Sequence, residues 1–398
     1  MAIEMIEEFD QGTKIKVIGV GGGGGNAVEH MINSGVQGVH FVCANTDAQA
    51  LNRSSAHGLI QLGTTGLGAG SRPEAGKAAA DEAEGRIREA IDGANMLFIT
   101  AGMGGGTGTG AAPVIARVAR DMGILTVGVV TKPFEFEGKR RMTAAEQGLA
   151  ELEANVDSLI VVLNDKLLEV LGDDVTQAEA FAHANDVLKH AVGGISDIIH
   201  MDAFVNVDFE DVKTVMCEPG KAMMGTAIAA GPDRSLKAAE AAVACPLLEG
   251  IDLSGARGVL VLIAAGKNTF KLAESRNAMN TIRRYAADDA HVIYGAAYDD
   301  SLGDQMRVTV IATGLTSMKR AAAPLTVVQS ASGHRTGTHD HPVYVQPAAQ
   351  HAAVGHDYTT MQVPSVWRSR SAAARVEALS SNGMDEIEIP AFLRKQAD

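Results

Sequence analysis

The sequence is poor in cysteine, in aromatic residues and in excess positive charge. Its 398 residues include three cysteines, one tryptophan and only 4% aromatic residues. Cys43, Cys217 and Cys245 are far apart and form no CxxC pair, so neither a disulfide framework nor a zinc site is expected. The net charge of −14 excludes a general nucleic-acid-binding protein, because such a protein presents surplus lysine and arginine to the phosphates.

The sequence also lacks signals for secretion or membrane insertion. The N-terminal stretch MAIEMIEEFDQG is acidic where a signal peptide is basic, and no apolar run approaches the roughly 20 residues that span a bilayer. With 46% hydrophobic residues, the chain can bury a large core. We therefore expect a soluble, cytoplasmic protein of two or three domains.

Hydrophobic patterning predicts two α/β units joined by a long helix. From Lys14 to about Leu171, short β-rich runs alternate with helical stretches, as in a parallel sheet covered by helices. A second, smaller unit with four strand candidates (GKAMMGTAIAA, RGVLVLIAAG, AHVIYGAAY and QMRVTVIATG) follows between about Asn206 and Thr316.

Between the two units, TQAEAFAHANDVLKHAVGGISDIIH has helical spacing of its apolar residues. Thr176 and Glu179 predict a capping box at the start of this helix, and Gly193 and Gly194 are its weak points. Beyond about Ala321 the sequence turns to Ala, Ser, Gln, Pro and Thr, with five histidines and no lysine as far as Gly383, which predicts a disordered linker.

Two glycine-rich turns follow strands of the first predicted sheet. The first, GVGGGGGNAVEHMI, precedes a helix expected to start near Asn26, and the second, AGMGGGTGTG, opens another helix. Exposed backbone N–H groups at a helix N-terminus bind phosphate oxygens, because unsatisfied donors and the helix dipole both favour negative charge. Thr107 and Thr109 add hydroxyl donors. The pair of turns predicts one anionic ligand held from two sides.

The first turn alone also fits a dinucleotide-binding site. Gly19, Gly21 and Gly24 satisfy GxGxxG, and Asp47 lies about 20 residues further on. An NAD-dependent oxidoreductase is therefore a rival function, although it gives no role to AGMGGGTGTG. A P-loop is excluded, because no GxxxxGK[ST] occurs.

The second glycine cluster carries a resemblance to a known family. GGGTGTG, at Gly104 to Gly110, resembles the signature of the tubulin and FtsZ superfamily, and further motifs are similar to FtsZ, the family of bacterial division GTPases. These motifs are NTDAQAL (45–51), TKPFEFEGKRR (131–141), NVDFEDV (206–212) and the ending IPAFLRKQAD (389–398).

The resemblance implies a tubulin-like fold: a Rossmann-type parallel-sheet GTPase domain, joined by a long central helix to a smaller α/β domain, and then a disordered tail. The expected divisions are a flexible N-terminus (1–13), the GTP-binding domain (14–175), the central helix with its following loop (176–205), the C-terminal α/β domain (206–317), the linker (318–383) and a partner-binding peptide (384–398).

The resemblance also implies GTP or GDP as ligand, with Mg²⁺, and assigns the binding residues. The phosphate turns match at Gly22, Gly23, Gly24, Gly25 and Asn26, and at Gly105, Gly106, Thr107, Gly108, Thr109 and Gly110. Glu137 and Arg141 match ribose and phosphate contacts, whereas Phe181, Asn185 and Asp186 match guanine contacts.

Hydrolysis needs a group that orients the attacking water, and glycines and threonines supply none. Asn206, Asp208 and Asp211 of NVDFED are the catalytic candidates, although the acidic residues are equally suited to helix capping. A protein that lacked these carboxylates would be a non-hydrolysing nucleotide binder, which is the second rival function.

A helix from Asn185 to His200 would span about 22 Å, so the candidate carboxylates cannot reach their own subunit's nucleotide. They would act on a neighbour's nucleotide, in a head-to-tail contact, and such contacts build filaments when they do not close. The expected product is a homopolymer with an active site shared between adjacent subunits.

The tail has the character of a binding peptide. Ile387, Ile389, Phe392 and Leu393 lie between acidic residues and a final basic pair, which suits a segment that folds on its partner. The resemblance implies membrane-tethering and regulatory division proteins (FtsA- or ZipA-like) as partners. It also implies a mid-cell division ring on the inner face of the membrane, with only indirect membrane contact.

Overall fold

The computed structural model describes residues 12–172, 174–200, 207–218, 220–245, 256–287 and 289–315. All of them belong to one compact unit, Met1–Leu325. Several predictions lie outside the described residues: the N-terminus up to residue 11, the catalytic candidate Asn206, the linker, and the tail with Ile387, Ile389, Phe392 and Leu393.

Six parallel strands form the first part of the sheet, in the order β3-β2-β1-β4-β5-β6. Strand β4 is buried along nearly its whole length, as expected of a central parallel strand covered on both faces. The predicted parallel sheet is therefore confirmed. The strands are β1 (Ile15–Val20), β2 (Val39–Asn45), β3 (Gly58–Gln61), β4 (Met96–Gly102), β5 (Leu125–Lys132) and β6 (Ser158–Leu163).

Helices cover both faces of these strands, as the alternating sequence pattern requires. Two of them, α1 and α5, directly follow the strands β1 and β4 in the middle of the sheet. The helices of this part are α1 (Gly21–Asn33), α2 (Ala48–Leu51), α3 (Pro73–Glu82), α4 (Glu84–Ile91), α5 (Thr107–Asp121), α6 (Lys139–Glu153) and α7 (Asn164–Leu171).

Helix α8 (Gln177–His200) is the predicted central helix. Its start is the expected capping box: Glu179 N donates to Thr176 Oγ1 at 3.3 Å, and Thr176 N donates to Glu179 Oε2 at 2.9 Å. The expected weak points do not interrupt it, because Gly194 is buried against the C-terminal strands, within van der Waals reach of Leu262. The helix is continuous over 24 residues.

The four predicted C-terminal strands are present, and they form a mixed sheet in the order β7-β10-β8-β9. Strand β10 is antiparallel to both β7 and β8, whereas β8 and β9 are parallel. The elements are α9 (Phe209–Met216), β7 (Lys221–Ala230), α10 (Arg234–Val243), β8 (Gly258–Ala265), α11 (Leu272–Arg283), β9 (His291–Tyr298) and β10 (Gln305–Leu315).

The two parts share one sheet and one core. A single parallel pair, Ile160 with Ala222, joins β6 to β7, so the smaller sheet continues the larger one. Leu188, Val192 and Ile195 of α8 lie in one buried apolar cluster with side chains from both parts. The helix is therefore held between the two parts and connects the ends of the molecule.

Candidate functional site

The two glycine-rich turns pack directly against each other. A side-chain carbon added at Gly23 would lie 3.0 Å from Gly102 Cα, and one at Gly108 would lie 2.6 Å from Gly102 O. A side-chain carbon added at Gly21, whose φ is +72°, would lie 2.9 Å from the backbone N of Gly108. Only glycine permits these approaches, so part of the glycine content is required by packing alone.

The first helix begins earlier than the sequence pattern suggested. Helix α1 starts at Gly21 rather than near Asn26, so the glycine run forms its first turns. Glycine is a poor helix former, and what compensates here is the close contact of this turn with β4. The run is thus part of a helix and not a loop before it.

Both helices that follow the glycine turns begin without a side-chain cap. Val20 and Gly106 stand at the N-cap positions of α1 and α5, and neither helix has an acidic residue in its first turn. The first N–H groups of a helix have no partner within the helix, and they carry the positive end of its dipole. Two such ends at neighbouring strands make an anion site.

A cavity of about 280 Å³ lies where these two helix starts meet α8. No atom comes within 4 Å of an added side-chain carbon at Gly22 or Gly105, so space for a ligand remains there. Eleven predicted binding residues line this cavity: Gly22, Gly23, Asn26, Gly105, Gly106, Thr107, Gly108, Glu137, Arg141, Phe181 and Asn185. An adjoining cavity of about 240 Å³ shares Gly22 and Asn26 with it and is also lined by Gly25.

Four predicted binding residues line neither cavity. Gly24 packs against the backbone of Thr100, and Gly110 packs against Pro73 on α3. Thr109 is buried, and its Oγ1 accepts a hydrogen bond of 2.8 Å from Gly104 N. These three contacts hold the turns in shape. The fourth residue is Asp186, on α8.

Glu137 and Arg141 form a charge pair at one wall of the cavity. Arg141 Nη1 lies 2.6 Å from Glu137 Oε2, while Glu137 Oε1 accepts a hydrogen bond of 2.9 Å from Phe134 N. Arg141 is half-exposed and has five N–H donors, of which this pair uses one. It supplies a permanent positive charge for an anionic ligand.

An aromatic cluster lies beside this charge pair, because Phe134 N donates to Glu137 Oε1. Phe181 is 39% exposed and meets the buried ring of Phe134 edge-on, with ring centroids 5.3 Å apart. Phe136 stacks on Phe134 at 5.0 Å. Because one edge contact fixes Phe181 while much of the ring stays open, this side chain can pack against a planar ligand.

The sequence analysis missed two polar residues of the site. Asn164, the first residue of α7 directly after β6, lines the cavity, and its buried Oδ1 has no hydrogen-bond partner among the described residues. Such an atom is costly unless a ligand or water satisfies it. Thr46 Oγ1 lies 2.7 Å from Thr107 Oγ1 and fixes that hydroxyl. A polar residue just after a buried parallel strand was the available signal for Asn164.

Asp186 connects α8 to α1. Its Oδ1 lies 2.9 Å from His30 Nε2 and 2.7 Å from Lys189 Nζ. Burial raises the pKa of Asp186, but the hydrogen bonds from Lys189 and His30 outweigh it and bring the pKa below its usual value. The carboxylate is ionised and is held beside Asn185.

Asp208 and Asp211 stand at the start of α9 and line neither of the two cavities. Asp208 is the N-cap, and its Oδ1 accepts a hydrogen bond of 2.8 Å from Asp211 N. The capping alternative therefore applies to Asp208. The stretch of α8 from Asn185, at the cleft, to His200, at the end of the helix, is about 22 Å long.

Asp47, the acidic residue of the rival dinucleotide motif, is the N-cap of α2 and lines neither cavity. Its Oδ1 accepts hydrogen bonds from Gln49 N at 2.9 Å and from Ala50 N at 3.4 Å. The oxidoreductase reading would therefore place its acidic residue outside both cavities.

No helix in the described parts of the chain is both long and apolar enough to cross a bilayer. Within the same ranges, no three His, Cys, Asp or Glu side chains are grouped closely enough to hold a metal ion.

Comparison with known proteins identifies the family. Residues 14–172 match the GTPase domain of the Tubulin/FtsZ family, and residues 220–316 match the C-terminal domain of the FtsZ family. The chain is 50% identical to the cell division protein FtsZ of Pseudomonas putida over 99% of this chain and 100% of that protein. The chain belongs to the FtsZ family. The predicted family, fold class and GTPase activity are thereby confirmed.

Other FtsZ relatives and structures agree with this assignment. FtsZ of Coxiella burnetii is 48% identical over 98% of both chains. An FtsZ dimer of M. jannaschii superposes with a TM-score of 0.74 at 40% identity, covering 78% of this chain and 90% of that one. CetZ2 of Haloferax volcanii, at 21% identity and a TM-score of 0.64, shares the fold.

Proposed function

We propose that this FtsZ-family GTPase binds GTP in the cleft between α1, α5 and α8, and hydrolyses it only where a second subunit docks on that cleft. The observation that carries the proposal is the pair of uncapped, glycine-rich helix starts facing one cavity. The resulting polymer is a head-to-tail filament of the cell-division ring.

The phosphates occupy the end of the cleft near the two helix starts. Gly22 and Gly105 leave room for the phosphate oxygens, and the first N–H groups of α1 and α5 donate to them. Thr107 contributes its hydroxyl, and Arg141 neutralises charge from the facing wall. Glu137 accepts from a ribose hydroxyl.

The guanine base occupies the end of the cleft near α8. Phe181 packs on the face of the base, while Asn164 and Asn185 exchange hydrogen bonds with its edge. Within the described part of the chain Asn164 Oδ1 is an acceptor without a partner, and a guanine N–H would satisfy it. The neighbouring carboxylate of Asp186 accepts from the N1–H and the 2-amino group, both of which adenine lacks.

Mg²⁺ is expected to enter with the nucleotide. The cleft residues supply backbone N–H groups, hydroxyls, amides and one ion-paired carboxylate, which is not a ligand set for this ion. Mg²⁺ commonly keeps several waters and binds substrate phosphates, where it offsets their charge. Its ligands here would be phosphate oxygens and water.

The attacking water is oriented by Asp208 and Asp211 of the next subunit. Their own subunit's nucleotide is too distant, because α8 separates the two ends. In a head-to-tail contact, the α9 end of one molecule covers the cleft of the next. The carboxylates then orient and polarise a water whose oxygen attacks the γ-phosphorus, the bond to the GDP oxygen breaks, and GDP and phosphate are released.

The remaining parts of the proposal concern residues outside the described ranges. Asn206 joins the two aspartates in the catalytic loop. The linker and the tail, through Ile387, Ile389, Phe392 and Leu393, recruit FtsA- or ZipA-like tethers, which place the filament at mid-cell on the inner face of the membrane. Deletion of residues 385–398 should leave assembly and hydrolysis nearly intact and abolish recruitment to tethers.

Sedimentation and hydrolysis assays test the shared-site mechanism. We expect pelleting with GTP, little with GDP or without nucleotide, and a specific activity that falls towards zero on dilution. A dilute monomer that hydrolyses GTP as fast per molecule as the concentrated protein would show that the carboxylates act in cis. Binding of NAD in preference to GTP would favour the oxidoreductase instead.

A further inference from the structure

We infer that His30 is a positioning residue for guanine recognition, acting through Asp186. The inference rests on the proposed function, because it takes the cleft to bind GTP. His30 does not line the cavity, and its role follows from what it holds and from which two helices it joins.

The contact joins the two helices that bracket the nucleotide. His30 lies in the last turn of α1, whose first turn forms the phosphate end of the cleft. Asp186 lies on α8, next to Asn185 at the base end. An ionised carboxylate only accepts hydrogen bonds, so His30 Nε2 is the donor in the 2.9 Å contact.

Both hydrogen bonds to Asp186 use the same oxygen. Oδ1 accepts from His30 at 2.9 Å and from Lys189 at 2.7 Å. Lys189 is on the same helix, three residues away, so it restrains Asp186 only relative to α8. His30 is the partner that ties the carboxylate to the phosphate-binding helix, and neither hydrogen bond uses Oδ2, the oxygen proposed to accept from the base.

The side chains are exposed enough that the interaction is not a requirement for folding. His30 is 28% exposed and Asp186 is 35% exposed, and a pair of this kind contributes little to stability. Its geometric effect can still be large, because a hydrogen bond to a charged group is strongly directional and is lost when the carboxylate rotates away. Selectivity for the base is therefore the readout that separates positioning from stability.

The experiment compares affinities for GTP, ITP and ATP at low protein concentration. ITP lacks the 2-amino group of guanine and is otherwise identical to GTP. We expect the wild-type chain to prefer GTP, His30→Ala to reduce the GTP-to-ITP preference about three- to tenfold, and His30→Gln to restore much of it, because its side-chain amide can donate to the same oxygen.

His183→Ala is the matched control, because His183 is an exposed histidine of α8 that lines neither cavity. It should keep the wild-type preference. An equal loss of affinity for all three nucleotides in His30→Ala would reduce His30 to a structural residue and overturn the inference, while the proposed function would stand. A wild-type chain that binds ATP as tightly as GTP would overturn the proposed function itself.

Discussion

The two ends of helix α8 differ in how the neighbouring helices begin. At the nucleotide end, α1 and α5 start on glycine-rich segments with no side-chain cap and no acidic residue in the first turn. At the other end, α9 starts on Asp208 as N-cap and has Glu210 and Asp211 in its first turn. The same backbone feature, a row of free N–H groups, is left open at one end and satisfied at the other.

This difference indicates a division of labour along the filament axis. An uncapped helix start attracts an anion, whereas an acidic one satisfies its own donors and presents negative charge. Neither end is complete, because the carboxylates of the first, Glu137 and Asp186, are engaged in ion pairs and the second has no phosphate cradle. In the proposed filament, stacking one molecule on the next would bring the two ends together.

Removal of a carboxylate at the α9 end should abolish hydrolysis without affecting binding. We expect Asp211→Ala to lower the GTP turnover number about 100-fold or more, and to leave the GTP dissociation constant of the monomer unchanged, because the residue lies far from its own cleft. Turnover and monomer binding are measured separately.

A mixing experiment sharpens this test. A subunit with Asp211→Ala binds GTP but lacks the carboxylate, and a subunit with a bulky residue at Gly105, where the cavity has open space, has the carboxylate but a blocked cleft. The mixture should hydrolyse GTP faster than either variant alone. If it does not, the two ends do not form one active site.

Glycine substitutions at the nucleotide end should separate packing from ligand space. Gly108→Ala places a carbon 2.6 Å from Gly102 O, and we expect it to cost about 1–3 kcal/mol of unfolding free energy in the nucleotide-free protein. Gly22→Ala meets no neighbouring atom and lies in a helix, so it should gain about 0.5–1 kcal/mol. It should nevertheless weaken GTP binding.

Urea denaturation and nucleotide titration measure the two quantities. A Gly22→Ala variant that is more stable yet binds GTP normally would contradict the assignment of this helix start to the phosphates. Equal destabilisation by both substitutions would contradict the finding that a side-chain carbon at Gly22 meets no neighbouring atom.

Local sequence signals predicted the central helix and the C-terminal strands, but not the start of α1. Thr176 and Glu179 form the expected capping box, because a cap depends only on residues three apart. A run of five glycines predicts no helix. The helix forms there because Gly23 and Gly24 pack on the backbone of β4, 70 or more residues away in the chain.

The candidate site was predictable only in part for the same reason. The glycine turns and Arg141 carry motifs, whereas Asn164 and His30 belong to no motif and gain their roles from spatial neighbours. The strand order β7-β10-β8-β9 is also a long-range property, because β10 pairs with strands that precede it by many residues. The pattern of hydrophobic residues predicts where strands lie in the sequence, but not which strands pair in the sheet.

Two titratable side chains in the C-terminal half of α8, Asp197 and His190, should make the stability of the protein depend on pH. Burial raises the pKa of Asp197 to about 6, with Arg307 opposing and Asp299 adding to the rise. The native state therefore holds a proton that the unfolded chain releases at lower pH, so the free energy of unfolding falls as pH rises from about 4 to about 6. Asp197→Asn should remove this loss and stabilise the protein at pH 7.5 by up to about 3 kcal/mol, because each pKa unit corresponds to about 1.4 kcal/mol.

His190, on the same helix, should give the free energy of unfolding the opposite pH dependence. Burial lowers its pKa to about 4, with the charges of Lys189, Arg307 and His30 adding to the decrease and Asp186 opposing it. Stability is therefore lost as pH falls from about 6.5 towards 4, and His190→Gln should reduce that loss. Thermal unfolding across this pH range measures both variants. An Asp197→Asn variant equally stabilised at pH 4 and pH 7.5 would refute the titration argument.

The smallest expected effect decides between capping and catalysis at Asp208. Asp208→Ala removes the N-cap of α9 and should cost about 1 kcal/mol, whereas Asp208→Ser keeps a capping oxygen and should cost a few tenths. Neither alanine nor serine has a carboxylate. If Asp208 orients water in the next subunit, both variants should lose hydrolysis to the same extent although their stabilities differ. A serine variant with wild-type turnover would leave Asp208 as a cap alone, and the catalytic carboxylate at the α9 end would then be Asp211.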